Sequence, residues 1–290
     1  MIKKILSLVL IVSMLIVAPI TLTGCKKYDY NLSLDVSYGS HERNKLDICL
    51  PERTGNVGLI LMIHGGGWVA GNKDGYKEDL IKWSERGYVA ASINYRYAST
   101  EIHIDDITAD IELSLHKIKQ LAVDSGINVD GMLLTGSSAG AHLSLYYAYA
   151  KADTSPIKPK AVVSFCGPTD LADMEFYAKD GDYEGCLMMG SYVSGYTLTG
   201  ENFEEAMDSL KYASPINFVT ENTVPTVICH GKKDYLVPFS NASNLKNKLD
   251  SCGVKNDFVV YKRSGHGLDK NKLSTLKANR LMKRYAEKYL

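Results

Sequence analysis

The chain has 290 residues, 45% of them hydrophobic and 23% charged, with 33 basic and 33 acidic side chains and no formal net charge. That size and apolar content suffice for a full core, and without a run of Lys or Arg the chain has no electrostatic footprint for a nucleic-acid partner. Its six cysteines contain no CxxC pair, so no sequence-local zinc or redox motif is present.

Lys3 and Lys4 precede an apolar stretch over residues 5–20 broken only by Ser7, Ser13 and Pro19. A short basic region, an apolar core and then small residues have the layout of a secretory signal, and the stretch is shorter than the roughly 20 residues of a spanning helix. Leu22-Thr23-Gly24-Cys25 resembles a bacterial lipobox. The resemblance implies a signal peptide over 1–24, lipid attachment at Cys25, and an exported protein held at the cell envelope and facing outward. A plain secretory signal and an uncleaved helical anchor are the alternatives. The body after the leader is slightly acidic, so attraction to the membrane would rest on the acyl chains. Cys49, Cys166 and Cys229 lie in apolar runs, where cysteine acts as a small hydrophobe. With Cys186 and Cys252 they are expected to be free thiols that hold no metal.

Beyond the leader, strands and helices alternate. Tyr30–Ser37 and Leu46–Leu50 read as an opening antiparallel pair, and Gly58–Ile63 (GLILMI) as a strand buried on both faces. Tyr76–Arg86 has helical spacing and stops at Gly87, a residue suited to the position just past a helix end. Tyr88–Asn94 is strand-like. The stretch 105–123 puts Ile107, Ile111, Leu115, Ile118 and Ala122 on one helical face. Met132–Thr135, Ala161–Phe165, Thr226–Cys229 and Phe258–Tyr261 are further strands, with helices over 139–150, 239–249 and 271–289. This alternation predicts one α/β catalytic domain over 25–290, a mainly parallel central sheet flanked by helices. The rhythm breaks over 168–215, a small insertion over the sheet. It is either a lid or substrate wall, or a loosely packed surface excursion.

Four segments carry chemistry. Gly136-Ser137-Ser138-Ala139-Gly140 is a G-x-S-x-G motif between a strand and a helix, the context in which a serine nucleophile stands exposed on a sharp turn. His64-Gly65-Gly66-Gly67-Trp68 closes an earlier strand. Its bland reading is a flexible turn; the functional one is an oxyanion hole, with amides of Gly66 and Gly67 joined by that of Ala139. Asp234 follows the strand Thr226–Cys229, where a carboxylate can orient a histidine. His266, in Ser264-Gly265-His266-Gly267, sits in a loop free to reach a serine. Ser138, Asp234 and His266 fall in the chain order that a triad on such a sheet requires. His142 reads as a packed or capping residue, and His230 as the structural end of a strand. His41, His103 and His116 read as surface, and packing is the default for the tyrosines of the insertion.

HGGGW, GSSAG, HGKKDYLVP and SGHG together resemble the α/β-hydrolase superfamily, most closely its hormone-sensitive-lipase-like esterases, over nearly all of residues 30–290. Asn94-Tyr95-Arg96-Tyr97 also resembles that family's tyrosine–arginine segment, although Ala98-Ser99-Thr100 replaces the acidic residue and prolines that usually follow. The cap helices common before the first strands of that family have no counterpart between Cys25 and Gly58. This brings the chain nearer to the compact acetyl- and feruloyl-esterase branch that acts on polysaccharide. The resemblance implies acyl transfer through a serine acyl-enzyme with no cofactor, on a small-molecule or polysaccharide-linked ester. A peptidase of the same fold is the first alternative. A surface lipoprotein that binds without catalysis is the second. Oligomeric state has no signature here.

Overall fold

A computed structural model describes residues 27–177, 183–199 and 201–290. The signal over 1–24 and Cys25 therefore lie outside the described residues. Ten strands appear among the described residues. These are β1 (Tyr30–Ser37), β2 (Lys45–Pro51), β3 (Gly55–Asn56), β4 (Leu59–Ile63), β5 (Val89–Ile93), β6 (Ile127–Asn128), β7 (Gly131–Ser137), β8 (Lys158–Phe165), β9 (Thr226–Gly231) and β10 (Asn256–Tyr261). Seven α-helices accompany them: α1 (Lys77–Ser84), α2 (Ile104–Asp124), α3 (Ala139–Ala150), α4 (Tyr183–Ser194), α5 (Phe203–Tyr212), α6 (Phe239–Ser251) and α7 (Lys272–Tyr289).

Eight strands form one sheet in the order β1-β2-β5-β4-β7-β8-β9-β10, and β3 pairs with β6 apart from it. β1 and β2 run antiparallel, as the sequence predicts, and every pairing from β5 to β10 is parallel. β4 shows why the sheet must be covered twice. Leu59, Leu61 and Ile63 enter one apolar cluster with α2, α3 and α6, while Ile60 and Met62 enter another with α1 and α7. Alternation along a strand sends successive side chains to opposite faces, and all five residues of β4 are buried. The five α2 positions expected on one face all reach the first cluster.

The stretch 168–215 contains two helices, α4 and α5, that sequence periodicity did not reveal. α4 (YEGCLMMGSYVS) mixes glycine and serine among its apolar residues and presents no clean stripe, while α5 carries its stripe of Phe203, Ala206, Met207 and Leu210 within only ten residues. Tertiary packing decides them. Leu171, Tyr177, Val193, Leu210 and Ala213 are fully buried in the same cluster as α2 and α3. The Ser214 hydroxyl accepts from the Leu171 amide at 2.7 Å and donates to the Leu210 carbonyl at 2.6 Å. This is a packed wall and not a loose excursion. Tyr192 and Tyr196 also pack against the core. No disulfide joins Cys49, Cys166, Cys186, Cys229 and Cys252. No helix among the described residues is long and apolar enough to cross a membrane.

Parallel pairing fixes which end of the sheet does chemistry, because the C-terminal ends of β4, β7, β8, β9 and β10 all point one way. Tyr30, which opens β1, pairs with Pro51 at the far end of β2. β2 starts beside the C-terminal end of β5, with Leu46 opposite Ile93. The chain therefore enters the sheet at the end opposite to Ser137.

Candidate active site

The turn from β7 to α3 sets the candidate nucleophile. Ser138 has φ 53° and ψ −125°, a left-handed strained conformation for a residue with a side chain. Its neighbours permit the turn. A Cβ on Gly136 would come within 2.5 Å of the Ile63 carbonyl oxygen, and one on Gly140 within 2.0 Å of the same atom. Both glycines of the motif are therefore required by close backbone packing against β4. The Ser138 amide donates to the Phe165 carbonyl at 2.8 Å, and its own carbonyl accepts from the His142 amide at 3.0 Å.

Asp234 and His266 come from the last two strand ends. Asp234 Oδ1 accepts from the amides of Leu236 and Val237, both at 2.9 Å, and Oδ2 accepts from His266 Nδ1 at 2.8 Å. The carboxylate is the acceptor, so the bond places the imidazole proton on Nδ1 and leaves Nε2 as the basic nitrogen. Burial pushes the Asp234 carboxyl up. The bond and charge of His266, the Val237 amide and the nearby His230 outweigh burial and hold it below the ordinary carboxylate value. A Cβ on Gly231, the last residue of β9, would lie 2.3 Å from the Gly265 carbonyl oxygen, which shows how closely the histidine loop crosses that strand. Ser264 and Asn271 brace the loop: the Ser264 hydroxyl accepts from the Lys270 amide at 3.0 Å and donates to Asn271 Oδ1 at 3.1 Å.

Ser138 and His266 line one open cavity of about 840 Å³ together with Gly65, Gly66 and Gly67. Gly66 has φ 111° and Gly67 φ 57°, and the Gly66 carbonyl accepts from the amides of Val69 and Ala70 at 3.1 and 2.9 Å. Among the described residues no hydrogen bond occupies the amides of Gly66, Gly67 or Ala139. Unspent donors beside a nucleophile are what a developing oxyanion needs. Helix α4 packs against the glycine loop. A Cβ on Gly67 would meet Met189 Sδ at 2.5 Å.

Two supporting residues, Arg43 and Asp110, were not singled out by sequence, and they act through motif residues that were. The His64 ring stacks on Tyr95 with centroids 4.4 Å apart, and the Tyr95 hydroxyl donates to the His64 carbonyl at 3.1 Å. Arg43 reaches His64 Nε2 at 3.3 Å and the Gly71 carbonyl at 3.3 Å, and donates to the Tyr95 carbonyl at 2.8 Å. Burial, with Arg43 adding to it, lowers the His64 pKa to about 4. The neutral ring then donates from Nδ1 to the Gly65 carbonyl at 2.8 Å. The acid absent after the tyrosine–arginine segment is supplied from α2. Arg96 Nε sits 3.0 Å from both oxygens of the buried Asp110, which also accepts the Arg96 amide at 2.8 Å. An arginine motif alone gives no signal for a partner fourteen residues on.

The remaining histidines divide as follows. His142 is fully buried, accepts at Nδ1 from Trp68 Nε1 at 3.1 Å and donates from Nε2 to the Ala213 carbonyl at 2.7 Å. His230 is the last residue but one of β9, with Nε2 3.1 Å from the Val237 carbonyl and 3.4 Å from Asp234 Oδ2. His41 and His116 are exposed. His103 is not the free surface residue expected: it precedes α2, and its Nδ1 lies 2.8 Å from the Tyr192 carbonyl of α4. Cys166, His230 and Asp234 bring potential metal-ligand atoms within 4.8 Å of one another, all buried. The fit to a metal is poor, because Asp234 Oδ2 is committed to His266. Burial and the Asp234 charge also push the Cys166 thiol far up, whereas a metal binds thiolate.

The family model described as BD-FAE matches residues 46–249. The chain is 29% identical over 249 residues to LipM of Mycobacterium tuberculosis, named a probable carboxylic ester hydrolase, covering 80% of this chain and 54% of that protein. It is 24% identical to the isoprenylcysteine alpha-carbonyl methylesterase ICME of Arabidopsis thaliana, covering 82% of this chain and 58% of the relative. The chain thus spans little more than half the length of these relatives. Among solved structures, a truncated carbohydrate esterase from gut microbiota superposes with a TM-score of 0.72 at 25% identity, covering 91% of this chain and 98% of that one. An esterase of Thermogutta terrifontis shares the fold at a TM-score of 0.65 and 20% identity, with 88% and 91% covered. The fold is that of the α/β-hydrolases.

Proposed function

The chain belongs to the BD-FAE family, and from that premise we propose that it is a serine esterase acting through Ser138, Asp234 and His266. The observation that carries the reading is the shared cavity. Ser138 on its strained turn, the Nε2-basic His266 and the unspent amides of the glycine loop all face one space.

The chemistry follows from those positions. His266 Nε2 takes the Ser138 proton as the oxygen attacks the ester carbonyl. The oxyanion is held by the amides of Ala139 and of Gly66 or Gly67, an interaction in which each donor contributes about 2.7–4 kcal/mol. Collapse expels the alcohol, which takes its proton from His266. Water, deprotonated by the same nitrogen, then cleaves the acyl-enzyme and restores Ser138. Asp234 stays ionised and stabilises the imidazolium.

The substrate we propose is a carboxylic ester of a short acyl group, acetyl or feruloyl, carried by a polysaccharide. Its support is the likeness to a carbohydrate esterase and the packing of Met189 of α4 against Gly67 of the glycine loop. We further propose that the protein is exported and held by lipid on Cys25, which the Leu22–Cys25 tetrapeptide supports. The entry of the chain at the sheet end opposite Ser138 favours a cavity that opens away from such an anchor. The test uses the body from Lys26 onward, as wild type and as Ser138→Ala, with p-nitrophenyl esters of increasing acyl length. Turnover that collapses in the variant and falls with chain length supports the reading. A folded wild type inactive on every ester refutes it.

A further inference from the structure

The glycine loop is gripped from a part of the chain that carries no catalytic motif. Arg43 lies in the hairpin between β1 and β2, and its half-buried guanidinium meets neutral acceptors. Nε donates to the Tyr95 carbonyl at 2.8 Å, and one terminal nitrogen lies 3.3 Å from both the Gly71 carbonyl and His64 Nε2. The guanidinium carbon stands 3.6 Å from the centroid of the Tyr97 ring, whose hydroxyl donates to the same Gly71 carbonyl at 2.7 Å. Gly71 closes back on the start of the loop. A Cβ there would lie 2.2 Å from the Gly65 carbonyl oxygen and 2.6 Å from His64 Nδ1. Arg43 thus touches both ends of the segment 64–71, and Gly65, Gly66, Gly67 and Gly71 of that segment line the cavity of Ser138.

We propose that Arg43 is a positioning residue for the oxyanion hole, acting through the tautomer of His64; the inference rests on the esterase reading. A guanidinium only donates, and a neutral imidazole has one donating and one accepting nitrogen. Facing Arg43, Nε2 must accept, so the proton stands on Nδ1, where the Gly65 carbonyl takes it at 2.8 Å. The positive charge also opposes a second proton on a ring that burial already keeps neutral. The Gly65 carbonyl and the Gly66 amide belong to one planar trans peptide and point in opposite directions. Pinning the carbonyl on one side therefore fixes where the Gly66 N–H points on the other. Without Arg43, Nε2 is free to carry the proton. Nδ1 then turns its lone pair on the Gly65 oxygen, and the peptide loses its anchor. Main-chain packing fixes where the loop runs; this relay sets which way one of its peptides faces, and it names Gly66 as the loop donor so set.

The tautomer is read directly by long-range ¹H–¹⁵N NMR of histidine-labelled protein near neutral pH, with His64→Asn identifying the His64 signals. Wild type should show His64 neutral, with its proton on Nδ1. Arg43→Met keeps the stem over Tyr97 and removes every donor, and in it the Nε2–H form should become populated. In the same variant kcat for p-nitrophenyl acetate should fall about tenfold with KM within about twofold, because the hole holds the oxyanion more tightly than the bound ester. In the His64→Asn background the side-chain amide facing Gly65 has no tautomer to set, so Arg43→Met should cost about twofold or less there. An equal loss in both backgrounds marks a merely structural role and overturns the relay. A wild-type His64 that carries its proton on Nε2, or two protons, overturns it whatever the variants do, and so does an Nδ1–H form that survives Arg43→Met. The NMR readout needs no turnover. An Nδ1 proton that leaves with Arg43 supports the relay even if p-nitrophenyl acetate is not cleaved, a result that would sink the esterase reading by itself.

Discussion

The two halves of the candidate site are held in different ways. The elbow at Ser138 and the loop at Gly66 are fixed by main chain: a left-handed serine, glycines whose Cβ would strike β4, and carbonyls that accept from nearby amides. Asp234 and His266 are fixed by side chains: a carboxylate with two amides on one oxygen and an imidazole on the other, and a loop stapled by Ser264 and Asn271. Backbone packing is intolerant of added volume. A hydrogen-bonded side chain can be exchanged for an isostere without disturbing its surroundings. Damage to the first half should therefore cost fold and activity together, and damage to the second should cost activity alone.

The largest expected effect is that of Gly140→Ala. Its methyl would lie 2.0 Å from the Ile63 oxygen, and neither backbone can yield cheaply. We expect turnover to vanish and stability to fall by about 3 kcal/mol, a drop of roughly 10 °C in Tm, measurable by calorimetry. A variant that keeps wild-type Tm would show that the elbow is not held by main chain. Asp234→Asn is the counterpart. It keeps the shape but releases the Nδ1 tautomer of His266, and kcat should fall by about 10⁴-fold while Tm moves little. Comparable losses of Tm in the two variants would erase the distinction.

A smaller effect concerns the buried neutral histidine behind the glycine loop. Burial lowers the His142 pKa to about 4, against 6.5 for a free imidazole. As pH falls below 6.5 the unfolded chain takes up a proton that the native chain refuses, so stability is full above 6.5 and declines down to about 4. The loss at the bottom of that window is at most about 3 kcal/mol. His142→Gln keeps an acceptor for Trp68 and a donor for Ala213 and should flatten Tm between pH 6.5 and 4. An unchanged slope would assign the effect elsewhere, His64 being the next candidate. The smallest effect is expected of Met189→Ala. Removing the thioether beside Gly67 should admit longer acyl chains, with a gain of about tenfold at most in kcat/KM for the longer esters. No change would place the acyl group away from α4.

The elements that sequence revealed share one property: each is dictated by neighbours in the chain. A short unbroken apolar run closed by glycines, such as Leu59–Ile63, reads as a strand covered on both sides, and the 3.6-residue period of Ile107, Ile111, Leu115 and Ile118 reads as one helical face. The same holds for Ser138. Two glycines at fixed spacing between a strand and a helix specify a tight turn locally, and α3 begins at Ala139 as the motif requires. Asp234 and His266 were legible through chain order after two strand ends.

What sequence left open is what depends on residues distant along the chain. Arg43, Tyr95 and Asp110 support the site only because β2, β5 and α2 meet beside it, and no spacing between them is fixed. His103 looked like surface until α4 supplied the Tyr192 carbonyl. The stretch 168–215 showed no clear rhythm because α4 mixes glycine and serine with its apolar residues and the stripe of α5 is only ten residues long, so its helices and its contact with Gly67 emerged only from packing. The sequence by itself determined which residues carry the proposed chemistry and in what order, since local backbone geometry and strand ends are short-range properties. Only the tertiary structure decided what braces them and what lines the cavity around them, since those follow from how distant segments close over one sheet.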